Sequence, residues 1–148
     1  MPKLTAVSRI AASASRLESI PAEDVLGIWA EVSPFLKDAL AFNPGDLALR
    51  DVIDRLLLRD MQLWVYRPEG EVIAALVTEV VQYPRRWVCR LVLFGGALQR
   101  CRSLEPDLAA WAKGRGCDSL EIQGRRGWTR ALAKTGWREV ATVVRKEI

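Results

Sequence analysis

The sequence predicts an α/β (α+β) domain on one mixed sheet: N-terminal helices, a three-strand antiparallel meander, then strand–helix–strand–helix–strand. Three observations predict it. Apolar residues recur at helical 3–4 spacing before about residue 60, and the period changes to two at Met61. Three strand-like runs then follow one another with only short turns between them, which favours antiparallel neighbours. The third run, RWVCRLVLFGGA at 86–97, is apolar at nearly every position, so both of its faces are expected to be covered and the strand to be central.

The helices come first. Val25, Ile28, Trp29 and Val32 mark one buried face of a helix over 21–32, with Glu23 and Asp24 near its start, where they suit the helix dipole. Ser33-Pro34 reads as an N-cap and first helical position, so a second short helix is expected to about Ala41. Asn43-Pro44-Gly45 is a turn, and Asp46 is expected to cap a third helix striped by Leu49, Val52, Ile53, Leu56 and Leu57. Residues 1–20 read as a loosely ordered arm, and 21–148 as one domain.

The strands follow at 62–66, 71–81 and from 86 onward, with turns at Arg67-Pro68-Glu69-Gly70 and Tyr83-Pro84-Arg85. In the third strand Trp87, Cys89, Leu91 and Leu93 are expected on one face, and Val88, Arg90, Val92 and Phe94 on the other. Gly95-Gly96 ends it, where backbone N–H groups before a helix can meet an anion. A helix over 104–115 carries Leu104, Leu108, Trp111 and Ala112 inward. The strand at 118–123 is expected to run parallel to the central one, because a helical crossover joins them. A short helix at 128–134 and a last strand at 137–147 complete the order. In that strand Val140, Thr142 and Val144 alternate with Ala141, Val143 and Arg145.

Composition narrows the chemistry. The chain has 148 residues and no histidine, which excludes a Cys/His zinc site and a histidine-based dyad. Cys89, Cys101 and Cys117 lack metal-ligand spacing. They read as small buried hydrophobes and fit a reducing compartment. No stretch is long and apolar enough for a membrane span or a secretory h-region, so no membrane partner is expected. Charge is uneven: residues 1–80 hold 8 Lys/Arg against 12 Asp/Glu, and residues 81–148 hold 14 against 6. A basic C-terminal half suits phosphates, nucleic acid or an acidic protein neighbour, or is simply a solvated surface.

The order of elements, and above all the cadence strand, short helix, Lys134-Thr135-Gly136-Trp137 and last strand, resembles the GNAT superfamily of N-acetyltransferases over roughly residues 20–148. The resemblance implies that the strands at 86–96 and 119–123 splay apart and take acetyl-CoA between them. Its pyrophosphate would then lie on Gly95, Gly96 and Ala97. The chain departs from the superfamily pattern at Leu132, where a tyrosine acid is usual, at Arg125, where an asparagine is usual, and in its adjacent glycines. More narrowly, the stretches at 61–96 and 111–128 resemble small GNAT-like proteins of tailed phages, some of which look like virion components. That implies a virion or host-cytoplasmic location rather than secretion, with head–tail components or further copies of the chain as partners.

Three functions stay open. The first is a non-catalytic virion or head–tail assembly component docking its basic half on acidic neighbours. The second is a CoA-dependent N-acetyltransferase acting on an amine, with Glu79 or Glu121 as base, Gly95, Gly96, Ala97 and Arg125 at the CoA phosphates, and Tyr83 able to replace the missing acid. The third is a nucleic-acid-binding module using the arginine- and tryptophan-bearing stretch Arg125, Arg126, Trp128 and Arg130, which could equally clasp a partner's anionic groups.

Overall fold

The computed structural model describes residues 16–123, 130 and 132–148. Five strands form one sheet in sequential order: β1 (Glu18–Ile20), β2 (Gln62–Tyr66), β3 (Ala74–Tyr83), β4 (Arg86–Gly96) and β5 (Ser119–Ile122). The first four pair antiparallel, and β5 runs parallel to β4. Two helices, α1 (Val25–Leu40) and α2 (Leu49–Leu57), cover one face, and α3 (Leu104–Gly114) covers the other. This is the predicted mixed α+β architecture, with the meander and the parallel crossover where the sequence places them.

Each face has its own core. Val32, Leu36, Val52 and Leu56 pack on Leu63, Val65, Val77 and Leu93 beneath α1 and α2. Leu108 of α3 packs with Trp64, Leu76 and Leu91 on the opposite face. Each fully buried leucine contributes on the order of 1.5–3 kcal/mol. Trp64 and Trp111 meet edge to face at 5.4 Å, and Arg115 lies 4.8 Å over the Trp111 ring. The buried Trp64 indole donates to Thr78 Oγ1 at 3.0 Å, so the single buried polar side chain among the described residues has a partner.

Several expectations change. Residues 18–20 are not part of an arm: they pair with β2, and Leu17 beside them is buried. Ser33-Pro34 does not divide two helices; Pro34 sits inside α1. Proline removes the bond to the Ala30 carbonyl and crowds it with its ring, and Ala30 and Pro34 both lie on the exposed side of the helix, where that carbonyl can tilt toward water. Asp46 caps nothing. Asn43 Oδ1 accepts from the N–H groups of Gly45, Asp46 and Leu47, and Asp51 receives the N–H of Ala48 ahead of α2. Asp46 instead pairs with Arg145. Leu91 and Leu93 lie on opposite faces, because Val77 pairs with Leu93 while Thr78 pairs with Leu91. Val92 is therefore the extra residue of a β-bulge, and the bulge breaks the period of two that the sequence suggested. The segment 137–148 is not a strand; it has no regular structure, and Val140, Val143 and Val144 are 71, 77 and 89% exposed. No described helix is long and apolar enough to cross a membrane.

Thr78→Val leaves the Trp64 N–H buried without an acceptor. Urea unfolding is expected to show a loss of about 1–3 kcal/mol, and Thr78→Ser, which keeps the hydroxyl, a smaller one.

Candidate functional site

The site is built where the β4–β5 ladder ends among the described residues, here called the fork. Their ladder runs from Val88/Ser119 to Leu91/Ile122 and stops. β4 continues to Gly96, paired only with β3 among the described residues. The bulge at Val92 falls directly after the last β4–β5 pair, so the strand changes its twist at the fork.

One residue before the fork lies a row of charges. Glu79, Arg90 and Glu121 are direct cross-strand partners on β3, β4 and β5. Arg90 Nε donates to Glu121 Oε1 at 2.7 Å, and Arg90 Nη1 to Glu79 Oε1 at 3.4 Å. Tyr83 joins them: its hydroxyl accepts from Arg90 Nη2 at 2.9 Å and donates to Glu121 Oε2 at 3.4 Å. Burial works against the Arg90 charge, but the bond to Glu121 and the charges around it raise its pKa above the ordinary arginine value. The structure thus brings both candidate carboxylates to one guanidinium. Glu121 is the nearer to the fork, and Glu79 lies one strand further away. The sequence reading missed Arg90, although a lone arginine in an apolar strand is a signal that carboxylates sit opposite on its neighbours.

Glu79 also lines a cavity of about 480 Å³ where β2 ends and the edge of β3 continues. Glu23, Arg59, Asp60, Gln62 and Arg115 contribute to its wall, so it is mostly polar and carries both signs of charge.

The glycine turn packs tightly against its own fold. A Cβ on Gly95 would lie 2.3 Å from the Phe35 carbonyl oxygen of α1, and one on Gly96 would lie 2.3 Å from the Ile73 carbonyl oxygen. Gly96 also has a φ of +80°. The Ala97 N–H donates to the Ile73 carbonyl at 2.9 Å. Gly95 and Gly96 therefore serve close packing of β4 against α1 and β3, and the Ala97 amide is already used. α3 begins only at Leu104, after a 3-10 turn at Leu98–Arg100.

Arg100 and Arg102, in that connection, are the cations the sequence reading passed over. With Arg16, Tyr66 and Ser103 they line a second cavity, of about 350 Å³, at the start of α3. Arg100 and Arg102 have no carboxylate partner among the described residues. Arg16 pairs with Asp107 in the first turn of α3, and the Leu17 N–H also donates to Asp107, at 3.2 Å. Burial would raise the Asp107 pKa, but hydrogen bonds from Arg16, Ser103 and Leu17 outweigh it and hold it below the ordinary carboxylate value.

Arg125, Arg126 and Trp128 lie outside the described residues; Arg130 is exposed. Leu132 is half-buried and carries no proton to give. Burial pushes the Cys89 thiol up to about 11 and raises Cys117 as well, so neither is poised as a nucleophile. Among the described residues no cluster could hold a metal ion.

No protein-family model matches the sequence, and no curated protein does either. Solved structures do. An aminoglycoside acetyltransferase from an uncultured soil metagenomic sample, in complex with sisomicin, superposes with a TM-score of 0.64 at 11% identity, covering 90% of this chain and 96% of that one. The ribosomal-protein-alanine N-acetyltransferase of Brucella melitensis biovar Abortus 2308 gives 0.60 at 13% identity, over 89% and 97%. The aminoglycoside N-acetyltransferase AAC(6')-Iy in complex with CoA gives 0.61 at 16% identity, over 89% and 93%. The fold is the GNAT fold. Within a GNAT domain, then, the β4–β5 fork is the feature to test, with the Arg90 row beside it.

Two outcomes check this geometry. Gly95→Ala is expected to lower the melting temperature sharply, because backbone rather than a flexible side chain blocks the new methyl group. The Asp107 pairing contributes stability at neutral pH that is lost as pH falls from about 3.8 through its lower folded value. Acid unfolding curves of Asp107→Asn are expected to lack that component.

Proposed function

We propose that this chain is a CoA-dependent N-acyltransferase acting on an amine. The observation that carries the reading is the end of the β4–β5 ladder after Leu91 and Ile122, at a bulge, beside two carboxylates and a tyrosine. An acyl-CoA would supply an activated thioester there. Arg100, Arg102 and Ser103 fit its phosphates better than the Gly95–Ala97 turn does, where the Ala97 amide is already used.

This chain's residues then divide the work. Glu121 takes a proton from the acceptor's ammonium, directly or through a water, so that the neutral amine attacks the thioester carbonyl. Tyr83, already hydrogen-bonded to Glu121, supplies the proton that the leaving sulfur needs, in place of the acid absent at Leu132. Arg90 positions both groups. The polar cavity beside Glu79 receives the acceptor, so Glu79 orients the amine rather than deprotonating it.

A second reading, a GNAT-fold protein without catalysis that serves as a phage head–tail or virion component, is favoured by Leu132 and by the spent Gly95–Ala97 turn. Its basic half would dock on an acidic neighbour.

Calorimetric titration with acetyl-CoA separates the two. Micromolar binding, weakened tenfold or more by Arg100→Ala/Arg102→Ala, supports the enzyme. No heat at millimolar ligand supports the docking protein. In the enzyme, Glu121→Gln is expected to lower kcat about 100-fold with little change in acetyl-CoA affinity, and Glu79→Gln to act mainly on KM for the amine.

A further inference from the structure

We propose that the tip of the β3–β4 hairpin, residues 82–87, is a binding surface for single-stranded nucleic acid, with Trp87 as a stacking platform and the cations around it on the phosphates. The hairpin outruns the rest of the sheet. β2 begins at Gln62, opposite Thr78, and β5 begins at Ser119, opposite Val88. Beyond those pairs β3 and β4 run on to Tyr83 and Arg86 with only each other as strand partners among the described residues. The tip therefore stands out as a two-stranded ribbon, and every residue of 82–87 is exposed.

The composition of the ribbon suits a polyanion that carries rings. Its sequence, QYPRRW, has two arginines, a tryptophan and a tyrosine but no acid. Trp87 is 42% exposed, although an indole is among the side chains with most to gain from burial. Its ring has a fixed neighbour: a Cβ on Gly116 would lie 3.7 Å from Trp87 Cε3, so the indole rests beside the turn that follows α3. That turn brings Lys113 and Arg115. Arg115 is held over Trp111 and shares a cavity wall with Gln82, the cross-strand partner of Trp87. Trp87 thus sits between two pairs of cations, Arg85 and Arg86 at the hairpin turn and Lys113 and Arg115 at the end of α3. None of the four has a carboxylate partner among the described residues. Asp118 lies beside them, but its carboxylate accepts from Ser119 Oγ at 2.7 Å.

These features select among polyanions. The cations alone would suit an acidic peptide or a duplex backbone as well. An exposed indole set among them adds a partner for the π-face of a base, which a duplex keeps stacked and an acidic peptide lacks. Tyr83 is also exposed, but neighbouring strand residues alternate faces, so it lies on the other side of the ribbon from Trp87, and its hydroxyl is engaged with Arg90 and Glu121. The base is therefore assigned to Trp87. This surface is separate from the stretch at 125–130 that the sequence suggested for nucleic acid, and it does not depend on whether the fork binds CoA.

Fluorescence anisotropy with a labelled oligothymidylate of about 12 nucleotides tests the proposal. Micromolar binding at low salt is expected, with log K falling against log salt by about 0.7 for each phosphate neutralised. Arg85→Ala/Arg86→Ala is expected to reduce that slope by about 1.4. Trp87→Ala is expected to weaken binding about tenfold with the slope unchanged, and Trp87→Phe to restore most of the loss. All three side chains are exposed, so these variants are expected to keep the melting temperature of the parent chain. No binding at low salt overturns the proposal. Equal or tighter binding of the corresponding duplex does so too, because it needs no unstacked base. Binding that survives the hairpin variants but is lost on Arg125→Ala/Arg126→Ala moves the surface elsewhere and overturns it. A polyglutamate peptide that binds more tightly than the oligonucleotide, and is indifferent to Trp87→Ala, marks an acidic protein partner and overturns it as well.

Discussion

One extra residue in β4 governs how this domain is put together. Were Val92 paired regularly instead of bulged, Leu91 and Leu93 would share a face, and one of the two cores would lose a buried leucine. The bulge gives Leu91 to the α3 side and Leu93 to the α1–α2 side. It also falls where the parallel ladder to β5 ends. A bulge bends its strand and strengthens its twist, so the same residue that shares the leucines between layers bends β4 where that ladder ends.

Close packing at the end of β4 follows from that bend. α1 lies so near that the Phe35 carbonyl occupies the space a Gly95 methyl group would need. The glycines let backbone meet backbone, and the Ala97 N–H closes the corner onto Ile73. Further along the chain, at the start of α3, Arg100 and Arg102 stand without carboxylate partners among the described residues.

The sequence made the meander, the parallel crossover and α3 legible because each rests on local periodicity and turn chemistry. The misses share one physical cause: they depend on what lies across space. Pro34 is tolerated in α1 because the carbonyl it leaves unpaired faces water, which no local signal reports. A bulge adds one residue without changing composition, so Val92 was invisible. Gly95-Gly96 reads alike whether the neighbour is a phosphate or a helix carbonyl. The strand pattern at 137–147 is real in the residues, but a strand also needs an edge to pair with. Of the site, Glu79 and Glu121 were legible as polar interruptions of apolar strands, whereas their convergence on Arg90 required the register of three strands.

That convergence is hard to explain as a device for stability. Arg90, Glu79 and Glu121 are only 18–22% exposed at their side chains, so each gives up much of its hydration to lie in the row. Attraction between partly buried charges repays such a loss only where the geometry is good, and apolar side chains of similar size often do as well. The geometry here is uneven: 2.7 Å to Glu121 but 3.4 Å to Glu79. Valine or isoleucine in the row would hold β3, β4 and β5 together without desolvating a charge. A tightly held carboxylate at the fork, a looser one facing a polar cavity and a hydroxyl between guanidinium and carboxylate make an arrangement suited to orienting and moving protons. It stands one residue from the end of the β4–β5 ladder.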